Sequence, residues 1–137
     1  MNDAAPQRLA AIASWHAHIY FSDDAERATA LLLREQIGAR FAVALGRVHE
    51  RPIGPHPLPM YQVAFDVPTF RHLVPWLMLN RRGLTVLVHP NTRDERGDHL
   101  VHALWMGAVL PIDASGLAAD HEAEAPLPPN TTPTIAP

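Results

Sequence analysis

The stretch Trp15-His16-Ala17-His18-Ile19-Tyr20-Phe21 decides how this chain folds, because its side chains alternate in character. The odd-numbered positions are apolar, while the even-numbered positions carry two imidazoles and a phenol. A period of two predicts a β-strand with one face for a core and one polar face. Side chains two apart on a strand lie roughly 7 Å apart. His16 and His18 can therefore converge on one metal ion or one small substrate.

The composition is that of one domain with a hydrophobic core, since 47% of the 137 residues are hydrophobic. A net charge of −3 gives no reason to expect nucleic acid or an anionic membrane as a partner. No apolar run approaches the roughly 20 residues of a membrane helix, and the N-terminus lacks a signal-peptide pattern, so we expect a cytoplasmic protein. Nine histidines and no cysteine indicate imidazole chemistry, although we expect about half of them to be surface residues.

Helices and strands alternate after the first strand. A first helix is predicted from an N-cap at Ser22 to a stop at Gly38. A second helix begins at Pro68 and stops at Gly83, and Pro75 inside it predicts a kink or a restarted turn. Alternating apolar residues predict three more strands, over residues 39–48, 60–67 and 84–89.

The resulting order, β-α-β-β-α-β, predicts a ferredoxin-like α+β fold. Its four-stranded antiparallel sheet carries both helices on one face, and the first strand is central, between the third and fourth. We divide the chain into a leader (1–13), a ferredoxin-like domain (14–117) and a disordered proline-rich tail (118–137). Residues 98–106 predict a short helix or a fifth strand. The open sheet face must be covered by a second subunit, by the C-terminal segment or by a ligand.

Further candidate residues lie around the histidine pair. His89 ends the fourth strand, next to the first, and is a third imidazole near the pair. His49 and His56 lie in a proline-rich loop whose stiffness holds side chains in place, and both suit proton transfer. Arg47 precedes this loop, and its guanidinium can bind a substrate carboxylate.

Simpler explanations of these residues stay open. The histidine pair can be exposed at an edge or interface, and His89 can cap a turn. Asp98, His99 and His102 form a compact cluster, in which Asp98 suits a helix N-cap as well as it suits a carboxylate ligand.

Several motifs in order resemble the DOPA 4,5-dioxygenase family. They are Trp-His-Ala-His-Ile-Tyr-Phe at 15–21, Gly-Arg-Val-His-Glu-Arg-Pro-Ile-Gly-Pro-His-Pro at 46–57, Met-Tyr-Gln-Val-Ala-Phe at 60–65, Val-Pro-Trp-Leu at 74–77, Leu-Asn-Arg-Arg-Gly-Leu-Thr-Val-Leu-Val-His-Pro at 79–90 and Asp-His-Leu-Val-His-Ala-Leu-Trp-Met-Gly at 98–107. The resemblance covers roughly residues 14–113. The family's motif histidines match at His16, His18, His49, His56, His89, His99 and His102.

The resemblance implies a small ferredoxin-like homo-oligomer, expected here as a dimer, with non-haem iron(II). Fungal members of the family open a catechol ring with dioxygen, so a small aromatic substrate is expected. Our hypothesis assigns the metal ligands to His16, His18 and His89. It assigns acid–base catalysis to His49 and His56, and contacts with the substrate to Arg47 and Tyr20.

The carboxylate of this hypothetical site is its open question. Iron(II) of this type commonly has two histidines and one carboxylate as ligands. No carboxylate lies on the predicted metal face. Either Glu50 or Asp98 therefore reaches the ion, or the site uses histidines alone, and a site of histidines alone also suits zinc or copper. Two alternatives therefore remain, a His-ligated zinc enzyme and a non-catalytic oligomeric binding module of the same fold.

Overall fold

The computed structural model describes residues 4–137. Strands and helices follow one another as β1 (Ser14–Tyr20), α1 (Asp24–Arg40), β2 (Ala44–Leu45), β3 (Met60–Phe65), α2 (Phe70–Asn80), β4 (Val86–Asn91), α3 (Glu95–Leu100) and β5 (Leu104–Met106), with 3-10 turns at Leu9–Ala11, Val67–Thr69 and Ala114–Gly116. The leader predicted for residues 1–13 lies partly outside the described residues. Among the described residues, no helix is long and apolar enough to cross a membrane.

The sheet is antiparallel and has the strand order β2-β3-β1-β4-β5. The predicted central place of β1, between β3 and β4, is confirmed. The prediction of four strands is wrong, because β5 pairs with the free edge of β4. Both alternatives predicted for residues 98–106 occur in succession, since α3 ends at Leu100 and β5 begins at Leu104.

Both long helices pack on one face of this sheet. Ala17 and Ile19 of β1 are fully buried in a core that also contains Leu33 and Ile37 of α1 and Leu77 of α2. The apolar positions of the opening strand therefore lie under the helices, as their alternation predicts. Its polar positions lie on the opposite face, which the helices leave open.

The first helix begins one residue later than predicted and continues past the predicted stop at Gly38 to Arg40. Asp23 is the N-cap, because its carboxylate accepts a hydrogen bond from the Glu26 backbone N–H at 2.8 Å, while the Ser22 hydroxyl donates to the Glu26 side chain. Gly38 lies inside the helix, where an added Cβ would come within 3.4 Å of Leu45 and Thr131 side-chain atoms. Close packing explains this glycine better than chain termination does.

The second strand is much shorter than the predicted 39–48, because α1 runs to Arg40 and only two residues pair with β3. Side chains of the C-terminal segment bind the other edge of this strand. Asn130 accepts from Leu45 N–H at 2.8 Å and donates to Leu45 C=O at 2.9 Å, and the Thr131 hydroxyl accepts from Val43 N–H at 2.9 Å. Residues 118–137 contain no helix or strand, and the disorder and the domain limits assigned above stay predictions.

The fourth strand continues past the predicted end at His89, through Pro90 to Asn91. The register between β1 and β4 positions the site, since His16 of β1 lies directly opposite His89 of β4. Residues directly opposite in an antiparallel pair lie on the same face. The two imidazoles are therefore neighbours on the open face of the sheet.

Candidate metal centre

Seven histidines line one cavity on the open face of the sheet, and five of them form a close cluster. The cavity measures about 320 Å³, and its lining includes His16, His18, His56, His89 and His99. The closest rings are those of His89 and His99, with centroids 4.0 Å apart, and those of His18 and His56, with centroids 4.2 Å apart. Two of these residues come from β1, one each from β4 and α3, and one from the proline-rich loop. Because these residues are far apart in the sequence, the cluster forms only when the chain folds.

Ring nitrogens in this cluster are spaced as metal ligands are. One potential ligand atom from each of His16, His18 and His89 lies within 4.8 Å of the others, and the same holds for His18, His56 and His99. His18 Nε2 and His89 Nε2 are 3.1 Å apart. Two nitrogens bound about 2.1 Å from one ion at 90° to 109° are separated by about 3.0 to 3.4 Å. The residues therefore fit a first-row transition metal, and His18 belongs to both groups.

Backbone carbonyls fix the orientation of two of these rings. His89 Nδ1 lies 2.8 Å from Pro90 C=O, and His99 Nδ1 lies 2.9 Å from Glu95 C=O. Because a carbonyl only accepts, each Nδ1 must carry the proton, which leaves Nε2 with its lone pair in the neutral ring. Metal-binding histidines are typically held in this way through their second nitrogen. By contrast, His18 Nδ1 is buried without a partner among the described residues, so the protein leaves that nitrogen uncommitted.

Burial keeps these rings neutral. It lowers the pKa of His56 to about 4 and the pKa values of His18 and His89 well below 6.5, and nearby histidines add to each shift. Burial also lowers the pKa of His99, partly offset by its hydrogen bond to Glu95. Neutral imidazole is the form that binds a metal or accepts a proton. These four rings are thus in their reactive form at pH 7.

Tyr20 holds His56 in place. The phenol is buried, and its oxygen lies 2.7 Å from His56 Nδ1. Burial raises the pKa of Tyr20 above its ordinary value, so the hydroxyl stays protonated. The loop backbone adds a second restraint, because His56 N–H donates to Ile53 C=O at 2.8 Å. Tyr20 is therefore placed to orient an imidazole, and it lies beneath the cavity rather than in its lining.

The remaining predicted residues separate into one inside the cavity and two outside it. The His49 side chain is in the cavity lining, and its backbone pairs with Met60. Arg47 is exposed and lies at a separate surface depression that His49 also borders. Glu50 is exposed and forms an ion pair with Arg27 at 2.8 Å. The structure thus brings His49 to the histidine cluster and leaves Arg47 and Glu50 outside it.

Asp98 is buried but occupied by other groups. Its carboxylate accepts from Thr92 N–H at 2.7 Å and from the Thr92 hydroxyl at 2.8 Å, and His102 Nδ1 lies 3.0 Å away. It is not the N-cap of α3, a position that Asp94 holds by accepting from Gly97 N–H. Neither ligand group found among the described residues contains a carboxylate. Asp98 therefore anchors the helix that carries His99.

Several residues without an assigned role in the sequence line the cavity. His99 is one, and its place among the motif histidines was the signal available for it. His121 and Glu124 are two others; the Glu124 carboxylate contacts His16 Nε2, and that hydrogen bond lowers the pKa of Glu124. Both come from the segment predicted to be disordered, whose many prolines and lack of aromatic residues gave no sign of them.

Comparisons with known proteins identify the family of this chain. The family model described as "Dopa 4,5-dioxygenase family" matches residues 15–116. A "DOPA 4,5-dioxygenase" from Amanita muscaria is 40% identical over 114 residues, which are 77% of this chain and 50% of that protein. An "Uncharacterized 21.2 kDa protein" from Botryotinia fuckeliana is 42% identical over 113 residues, 74% of this chain and 62% of that protein. The chain thus spans less than two thirds of either relative.

A solved structure is similar as well. The crystal structure of a "putative dioxygenase" from Nostoc punctiforme superposes with a TM-score of 0.77 at 52% sequence identity. The match covers 80% of this chain and 94% of that one. The fold described above is therefore shared with an experimentally determined structure over most of its length.

Proposed function

The chain belongs to the Dopa 4,5-dioxygenase family, and from that premise we propose that it is an extradiol-type, ring-cleaving dioxygenase. Its substrate would be a catechol, DOPA-like in character, with O2 as co-substrate and non-haem Fe(II) as cofactor. One observation carries the proposal: ring nitrogens of His16, His18 and His89 lie within 4.8 Å of one another. They do so at a cavity of about 320 Å³, which is within the size range of small-molecule sites.

The three histidines would hold the ion through neutral imidazoles. When bound, iron(II) supplies a Lewis acid for the catechol oxygens and the redox capacity that dioxygen requires. His89 contributes an Nε2 whose lone pair is fixed by the Nδ1 hydrogen bond to Pro90. The ring of His18 is 2% exposed, which keeps water away from the centre of the group. The protein thereby prepares the ligand atoms before any ion arrives.

His56 is the best-placed acid–base residue. Its pKa of about 4 leaves it neutral at pH 7. The Tyr20 hydroxyl stays protonated, and its hydrogen-bond partner among the described residues is His56 Nδ1, so the hydroxyl donates to that nitrogen. His56 Nε2 then carries the proton, which it would donate to the substrate and take back when the cycle closes. His49, elsewhere in the cavity lining, is proposed as the second acid–base group.

Contacts with the substrate side chain form the outer part of the proposal. Arg47 lies outside the cavity but borders a depression that His49 also borders. A substrate carboxylate would therefore have to extend past His49 to reach the guanidinium. Tyr20 contacts His56, so its effect on the substrate would be exerted through that imidazole. Homodimer formation and a cytoplasmic location also remain predictions.

The test is anaerobic loading with ferrous iron, followed by a panel of catechols and air. A coloured ring-fission product and matching oxygen consumption support the proposal. His18→Ala should abolish both, because His18 belongs to both ligand groups. His72→Ala is the matched control, since His72 is an exposed histidine on α2. No product from iron-loaded protein, or full activity in His18→Ala, would refute the proposal.

A zinc enzyme is the second candidate, because both ligand groups contain only histidine nitrogens. Three histidines with an open fourth position are typical of catalytic zinc. Metal analysis of the purified protein separates the two candidates, together with activity measured without oxygen. Zinc at one equivalent and an oxygen-independent reaction would favour the second candidate.

A further inference from the structure

The C-terminal segment crosses the open face of the sheet and is attached on both sides of the cavity. On one side, His121 N–H donates to Arg93 C=O at 2.8 Å, and Asp120 forms an ion pair with Arg93 at 3.0 Å. On the other side, Asn130 and Thr131 bind the edge of β2. Residues 121–129 therefore span the distance between two attachments, and we call them the strap.

Glu124 is the strap residue that reaches the histidine cluster. Its backbone C=O accepts from the Ser14 hydroxyl at 2.6 Å, which fixes the strap beside the start of β1. Its carboxylate contacts His16 Nε2 and accepts from Asn91 Nδ2 at 3.4 Å. One backbone contact and two side-chain contacts, from two strands, thus set the position of Glu124.

A carboxylate in this position determines which nitrogen of His16 carries the proton. Because a carboxylate only accepts, His16 Nε2 must be the N–H, and Nδ1 is left with the lone pair in the neutral ring. Hydrogen bonds of this kind hold metal-binding histidines in one tautomer and raise their basicity. His89 and His99 donate the corresponding hydrogen bonds to backbone carbonyls. His16 has no such carbonyl bond among the described residues, and Glu124 takes that place.

We propose that Glu124 is a positioning residue for His16, supplied by a segment beyond the family match at residues 15–116. The proposal rests on the proposed metal-binding function of His16. Under this proposal the Glu124 carboxylate supports a metal ligand and is not itself one, since Glu124 belongs to neither ligand group. Loss of such a supporting hydrogen bond typically lowers metal affinity 10- to 100-fold.

The first test measures ferrous iron binding anaerobically by calorimetry. Glu124→Ala should weaken binding about 10- to 100-fold, and Glu124→Gln should recover part of it, because an amide oxygen still accepts from His16. Glu122→Ala is the matched control, since it removes an exposed carboxylate from the same strap. Unchanged affinity in Glu124→Ala would overturn the proposal. Tighter binding would also overturn it, because the carboxylate would then be competing with the ion for His16.

The second test needs no metal. Long-range proton–nitrogen NMR at pH 8 reports the tautomer of each histidine in the full chain. Wild-type His16 should be protonated at Nε2, with the downfield proton shift of a hydrogen bond to a carboxylate, and Glu124→Ala should lose that shift while Glu122→Ala keeps it. An unchanged Nε2 proton shift in Glu124→Ala would overturn the proposal. If the wild-type protein binds no iron, the proposed function fails on its own, and the NMR result still decides whether Glu124 controls His16.

Discussion

Lowering the pH from 7.5 to 5.5 is expected to destabilise the metal-free protein by at least about 1.4 kcal/mol. Burial lowers the pKa of His56 to about 4 and holds those of His18 and His89 well below the ordinary 6.5. Unfolding returns all three to water and to that ordinary value. In this pH window the unfolded chain binds protons that the folded chain excludes. A depressed pKa therefore contributes stability that is complete above 6.5 and is lost as the pH falls.

The magnitude follows from the same pKa values. At pH 5.5 an unfolded histidine of pKa 6.5 is about 90% protonated, which stabilises the unfolded state by RT ln 11, or about 1.4 kcal/mol. The folded His56 ring, with its pKa of about 4, gains almost nothing at this pH, so His56 alone gives about 1.4 kcal/mol. His18 and His89, whose pKa values are held well below 6.5, add to this loss in the same direction. The His56 part by itself is a sizeable share of the roughly 5 to 15 kcal/mol by which domains are typically stable.

Urea denaturation in the presence of a chelator measures this loss at pH 7.5, 6.5 and 5.5. His56→Gln should reduce the pH dependence by about 1.4 kcal/mol, because one of the three groups is gone. His72→Gln should leave it unchanged, since that side chain is exposed. A fall in the free energy of unfolding of less than about 1 kcal/mol for the wild-type protein would refute the reasoning.

Three further substitutions test the surroundings of the cluster. Gly97→Ala should cost about 1 to 3 kcal/mol in urea denaturation, because the new Cβ would lie 2.7 Å from Asp94 Cγ in the first turn of α3. Tyr20→Phe should cost about 1 to 3 kcal/mol, since it leaves buried His56 Nδ1 unpaired, and it should lower turnover. Glu50→Gln should leave turnover and metal content unchanged, because that carboxylate is exposed and paired with Arg27.

Each of these substitutions has a control or a refuting result. Gly116→Ala places a Cβ in open space, so its stability should equal that of the wild type. An equally stable Gly97→Ala would mean that α3 tolerates the added methyl group. Wild-type stability and turnover in Tyr20→Phe would remove the orienting role of the phenol. Loss of metal from Glu50→Gln would return this residue to the ligand set.

Local patterns in the sequence were sufficient to predict the centre of the fold. Strict alternation along residues 15–21 placed Ala17 and Ile19 in the core and His18 on the opposite face, because a strand has a period of two. The order of elements then put β1 between β3 and β4. Short elements were predicted less well: β2 keeps only two residues, since its length depends on where α1 ends.

The histidine site was only partly predictable, because its contacts join distant parts of the chain. Strand register brings His16 opposite His89, and a β-α-β-β-α-β order suggests that pairing. Nothing local to Glu124 indicates that it contacts His16, 108 residues earlier in the chain. The Nδ1 partners of His89 and His99 are backbone carbonyls, whose directions depend on the exact local dihedral angles. Residue types alone therefore could not rank the seven motif histidines as ligands.

The low pKa values and the proposed metal chemistry have one physical cause. Packing His18 and His89 with almost no exposure makes their charged forms unfavourable, and this keeps their lone pairs available at pH 7. The same packing leaves His18 Nδ1 without a partner and sets two Nε2 atoms 3.1 Å apart. Without an ion, His18 Nε2–H donates to His89 Nε2, because the His89 proton lies on Nδ1, and His18 Nδ1 is left as the buried unpaired atom. Because an ion held by these rings would bind the folded chain and not the unfolded one, metal binding and folding stability should rise together.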